Sequence, residues 1–100
     1  MQEFLYKLQL VRGDMLQTGP TEQEQAVVAE HFAYLQDLKS RGAIILVGRT
    51  LTTDENTIGL AIFRAESERD ASQIMNSDPA VKNGVMTATL YPFKIVLQEK

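Results

Sequence analysis

Cysteine and tryptophan are absent from the 100 residues, and histidine occurs once. Without cysteine there are no disulfides, thiolate metal ligands or cysteine nucleophiles. A single imidazole with scattered carboxylates shows no metal-ligand spacing. Neither a P-loop nor a G-x-G-x-x-G fingerprint occurs. No metal or cofactor is therefore expected. Ten basic side chains against thirteen acidic ones, a net charge of -3, provide no basic patch, so nucleic acid and anionic membranes are poor partners. No apolar run approaches the ~18 residues of a membrane helix. The opening MQEFLYKLQLVRGD alternates and carries charge, unlike a signal peptide, so a cytoplasmic protein is expected. The chain is 44% hydrophobic and 23% charged, an ordinary globular mixture, and its length suits one small domain over residues 1–100.

The pattern along the chain alternates strands with helices. In EFLYKLQLVR, Phe4, Tyr6, Leu8 and Leu10 alternate with Leu5, Lys7, Gln9 and Val11, as in a strand. Gly13 closes it, and GDMLQTGP reads as a loop. TEQE is a capping box, with Thr21 as N-cap and Glu24 three residues on. The helix it opens runs to about Arg41, with Gly42 suited to a left-handed terminus. AIILVGRTL and TIGLAIFRA are apolar, β-branched runs around the polar TTDEN, which predicts a hairpin. Ser67 caps a second helix with Asp70 in its first turn. NSDPAVKNG interrupts that helix, and MTATLYPFKIVLQ is the last strand, bent or bulged at Pro92.

The order βαββαβ is that of an α+β, ferredoxin-like split βαβ fold, an antiparallel sheet with two helices on one face. Its second and third strands are apolar on both faces: Ile44 and Leu46 against Ile45 and Val47, and Ile58, Leu60 and Ile62 against Ala61 and Phe63. Two helices cannot cover both sides, and an apolar sheet face of that size is a sticky patch on a monomer. A homodimer formed through the sheet faces is expected; the alternative is a twisted sheet with one face partly exposed.

His31 stands within AVVAEHFAYLQDL. At ~100° per residue it falls in the middle of the arc of Val27, Val28, Tyr34, Leu35 and Leu38. On the second helix the stripe of Ala71, Ile74 and Met75 continues onto Asp78. Each helix thus aims one ionisable group at the sheet. A lone buried charge is costly, whereas a carboxylate paired with an imidazole is tolerable and supplies the parts of a general acid–base pair. Structural readings stand beside this one. An inward histidine also serves as a core residue bonded to a backbone carbonyl. Asp78 is equally a good N-cap and Pro79 a favoured first helical residue, which would make DPAVKNG a separately capped turn. Arg12 and Arg49, each at the end of a strand, suit an anionic ligand or a surface carboxylate. Tyr6, Tyr34 and Tyr91 suit the edge of the core or a pocket for an aromatic ring.

Taken together, EHFAYLQDLKSRGAIILVGRTL, GLAIFRAES and NSDPAVKNGVMTATLYPFKI resemble the YCII-related family over nearly the whole chain. The most specific parts are HFAYLQDLKSRG with the following VG, and SDPAV with the glycine after it. The resemblance implies a ferredoxin-like domain that dimerises into an α/β barrel, and a His–Asp dyad formed here by His31 and Asp78. It also implies relatives in aromatic-compound breakdown, among them a dehydrochlorinase of chlorinated hydroxyhydroquinone, and a fold resembling that of muconolactone isomerase. The chain departs from the family at Gly48-Arg49, where many members carry Gly-Pro.

Two functions are carried forward. One is a cofactor-independent enzyme in which His31 moves a proton on a small cyclic or aromatic substrate, Asp78 orients it, and Arg49, Tyr34 and Arg12 hold the ligand in a pocket between helices and sheet. The other is a non-catalytic dimeric module that binds a small ligand or a protein.

Overall fold

A computed structural model describes residues 1–99 of the chain. Strand β1 (Gln2–Leu10) leads through the short helix α1 (Met15–Thr18) to the long helix α2 (Glu22–Ser40). Strands β2 (Ile44–Arg49) and β3 (Ile58–Ala65) form the hairpin, followed by helices α3 (Glu68–Asn76) and α4 (Pro79–Lys82) and strand β4 (Met86–Phe93). The four strands make one antiparallel sheet in the order β2-β3-β1-β4. Among the described residues no helix is long and apolar enough to cross a membrane.

Side-chain alternation assigns the faces of the sheet. Phe4, Tyr6 and Leu8 of β1 and Ala61, Phe63 and Ala65 of β3 are buried on the helix side with Leu35, Leu38, Ala71 and Met75. Tyr6 meets Phe63 edge-on at 5.5 Å between ring centroids, and Phe4 lies 6.0 Å from the same ring. Burying each such side chain contributes about 1.5–3 kcal/mol, so this aromatic group anchors the helices to the two central strands. The opposite face carries Leu60 and Ile62 half-buried, with Leu46 exposed.

The helix ends follow the local code. The Thr21 side chain accepts from the Glu24 amide at 3.1 Å, and the Glu24 carboxylate accepts from the Thr21 amide at 2.8 Å. Gly42 leaves α2 at φ +77°, a conformation that disfavours any side chain. Ser67 accepts from the Asp70 amide at the start of α3.

Several local expectations are corrected. GDMLQTGP contains α1, whose Met15 is buried. The turn is pinned by Arg12, which bonds Thr18, the Gly19 carbonyl and Glu24. The second helix is interrupted at NSDPAVKNG as expected, stopping at Asn76, so the apolar stripe does not continue along it onto Asp78, which instead opens α4. Pro92 keeps register opposite Phe4 without a bulge, because β4 is an edge strand whose missing amide costs no ladder bond on its open side. That strand ends at Phe93. The irregularity lies instead in β2, where Ile44 pairs with Phe63 and Leu46 with Ile62, so that Ile45 is an extra residue. The expected alternation of Ile44 and Leu46 against Ile45 and Val47 therefore fails. Ile44, Val47 and Arg49 share the helix side with Phe63, Ala61 and Gly59, while Leu46 and Gly48 take the other.

Candidate active site

Three elements converge on one carboxylate. Asp78 is the N-cap of α4, and its Oδ1 accepts from the Ala80 amide at 2.9 Å. Tyr6, inward on β1, donates its hydroxyl to Oδ2 at 2.8 Å. His31, midway along α2, places Nδ1 2.6 Å from Oδ1 and 2.8 Å from Oδ2. Asp78 is wholly buried and the His31 side chain only 12% exposed. The cap and the partner of the histidine are thus the same group, and the two readings of SDPAV hold together. Asp78 is held in place from both sides: its own amide bonds the Met75 carbonyl at the end of α3, and its carbonyl accepts from Lys82.

The partners of Asp78 set which nitrogen of the histidine faces it. The Asp78 oxygens accept from an amide and a phenol and turn toward Nδ1, so Nδ1 is the ring nitrogen that donates to them and Nε2 is the one turned away from the carboxylate. Burial foremost, then the charge and hydrogen bond of Asp78, push the Tyr6 hydroxyl far above the ordinary phenol range. Tyr6 therefore remains a donor at any physiological pH.

Nε2 makes no hydrogen bond among the described residues, and His31 lines a cavity of about 800 Å³ between α2 and the β2–β3 edge of the sheet. The walls are largely apolar, with Leu8, Val28, Leu35, Val47 and Ala61 among them. This leaves an imidazole nitrogen at the edge of an apolar space, with its ring held from behind by Asp78. The described residues contain no cluster of three or more His, Asp or Glu side chains able to hold a metal ion.

The other expected ligand residues divide. Arg49 lines the cavity and makes no ion pair or side-chain hydrogen bond among the described residues. Tyr34 does not line it: its hydroxyl donates to the Ile74 carbonyl at 2.8 Å and ties α2 to α3. Burial foremost, then the charge of Asp78, raise the Tyr34 hydroxyl above its ordinary range. Arg12 does not line it either. Its guanidinium lies 2.6 Å from Glu24 and 3.3 Å from Asp14, closing the β1–α2 connection. The Arg12 hydrogen bond foremost holds the Glu24 carboxyl down at about 2. Tyr91 is exposed away from the cavity, so none of the three tyrosines forms a ring-binding wall.

Tyr6 has a role that sequence reasoning missed, as third partner of the buried pair. A signal for it was present. Tyr6 shares its strand face with Phe4 and Leu8, so its hydroxyl had to find a buried acceptor, and Asp78 was the acid expected on that side.

No curated protein matches the chain significantly. Among solved structures the chain is similar to the 5-chloro-2-hydroxyhydroquinone dehydrochlorinase of Burkholderia phenoliruptrix AC1100, solved with 2,5-dihydroxybenzoquinone. The identity is 27%, over 92% of this chain and 93% of that one, at a TM-score of 0.69. An uncharacterized protein from Thermotoga maritima shares the fold at 12% identity and a TM-score of 0.60, over 93% of this chain and 98% of that one. The profile of the YCII-related domain matches residues 8–94. With that match running from the end of β1 through β4 and including both members of the His31–Asp78 contact, the chain belongs to the YCII-related family.

Proposed function

We propose that this protein is a cofactor-independent acid–base enzyme in which His31 moves a proton on a small oxygenated ring and Asp78 positions the imidazole. The observation that carries the reading is the His31–Asp78 contact behind a ring that lines the cavity with Nε2 unengaged. Nε2 takes a proton from a ring hydroxyl or an acidic ring carbon, and the imidazolium formed is stabilised by the Asp78 carboxylate. In an isomerisation the same proton returns to another carbon. In a dehydrochlorination the freed electron pair expels chloride, so proton and chloride leave together as HCl. Likeness to a dehydrochlorinase over nearly the whole chain makes halogenated hydroxyhydroquinones the first substrates to test.

Chloride release from 5-chloro-2-hydroxyhydroquinone by wild type and His31→Gln is the test. We expect the variant to keep its circular dichroism and lose turnover by about 10²-fold or more. Equal rates in the two proteins overturn the assignment. A variant that loses stability, with no turnover of any ring by wild type, favours a non-catalytic binding module.

The second part of the reading is a homodimer through the sheet face that the helices leave open. Leu46 is 59% exposed there, near the half-buried Leu60 and Ile62, and the tail adds Val96 and Leu97, 81% and 92% exposed. A second copy covering this face would remove it from water. Sedimentation should give a dimer for wild type and a monomer for Ile62→Lys. A wild-type monomer at high concentration refutes this part.

A further inference from the structure

We propose that the cavity selects a ring bearing an anionic oxygen group, carboxylate or phenolate, and that Arg49 is the residue that reads the charge. This rests on the cavity being a substrate site, as proposed above, and adds what kind of molecule enters it.

Charge is the first observation. The chain carries three more acidic than basic groups, yet among the described residues no aspartate or glutamate lines the cavity, whereas Lys39 and Arg49 both do. Lys39 has a role without a ligand, since it sits in the last turn of α2 where a cation favours the helix dipole. Arg49 has none.

Direction is the second. Counted by simple alternation from Ile44, Arg49 would point to the face opposite the helices. The extra residue Ile45 shifts the phase, and Arg49 pairs with Gly59 on the helix side, beside the buried Leu8. Bulges re-aim side chains in this way, at the cost of a broken ladder.

The third is the lack of a partner among the described residues. The residue directly across is a glycine, its neighbours on that face are Thr57 and Ala61, and the preceding inward residue on β2 is Val47. None is acidic. Arg12 and Arg41, in contrast, are both occupied, Arg12 by Asp14 and Glu24 and Arg41 by Asp37 at 2.9 Å. A guanidinium offers a planar fork that fits a carboxylate or a phenolate oxygen. The ring would lie against Val28, Leu35 and Ala61 within reach of His31, its anionic group toward the end of β2.

The test is an NMR titration of the full-length protein with two matched pairs, benzoate against benzamide and 4-nitrophenolate against 4-nitroanisole. We expect at least one anion to bind about tenfold or more tightly than its neutral partner, with amide shifts at Val47 and Gly59. The anion that shows the preference distinguishes carboxylate from phenolate. Arg49→Gln should abolish the preference and Arg49→Lys retain part of it. Equal affinities within both pairs, a preference that survives Arg49→Gln, or no binding by any of the four probes overturns the inference. His31→Gln separates it from the acid–base reading. If that variant keeps both the charge preference and full chloride release, the acid–base reading falls and the present inference stands.

Discussion

Asp78, which opens α4, and Arg49, which ends β2, both belong to elements packed against α2, and their surroundings are opposite. Asp78 has no exposed surface, and its carboxylate oxygens meet an amide, a phenol and an imidazole. Arg49 is exposed and meets no acidic group among the described residues. The two patterns teach different things. A buried charge persists only when its hydrogen-bonding capacity is satisfied, so Asp78 stabilises the fold and orients His31 through the same atoms. An exposed charge tolerates having no partner, so Arg49 is free to meet a ligand and adds little to stability.

Substitutions at the two places should therefore separate sharply. The largest loss is expected for Asp78→Ala, about 3–5 kcal/mol in urea unfolding, because Tyr6, His31 and the Ala80 amide all lose their acceptor. A loss below 1 kcal/mol would mean that water or a shifted backbone replaces the carboxylate, and the contrast would dissolve. Tyr6→Phe should cost about 1–2 kcal/mol and alter the alkaline limb of the stability curve. The Tyr6 hydroxyl is raised in the folded state, so its contribution is intact below the ordinary value of 10.0 and is lost as pH rises beyond it, where the unfolded chain ionises first. The fall in urea midpoint above that pH should be shallower in Tyr6→Phe; an identical slope would show that Tyr6 does not titrate differently in the two states. The smallest effect is expected for Arg49→Gln, within about 0.5 kcal/mol of wild type. A larger loss would show that Arg49 supports the fold and would weaken its reading as a ligand residue.

Much of this was legible in the residues. Thr21 with Glu24, Ser67 with Asp70, and Gly42 mark helix ends through bonds or dihedrals made within a few residues, so sequence and structure agree there. Phe4, Tyr6 and Leu8 announced the inward face of β1 through a period of two. The inward positions of His31 and Asp78 were visible as polar interruptions of apolar stripes, although for Asp78 the direction comes from a new turn after a helix break. Arg12 and Arg49 were indistinguishable as strand-end arginines. What separates them is whether an acid from elsewhere in the chain arrives beside them, and Glu24 does so for Arg12 alone.

The sequence by itself determined the βαββαβ order, the helix caps and the surplus of apolar strand surface, because these depend on neighbours three or four residues away or on side-chain period. Only the tertiary structure decided that one carboxylate both caps α4 and joins His31 to Tyr6, and that Ile45 is the extra residue turning Arg49 toward the cavity. Those outcomes depend on pairings across 72 and 47 residues and on a strand register. A period of two cannot reveal such a register, since inserting one residue inverts every face beyond it.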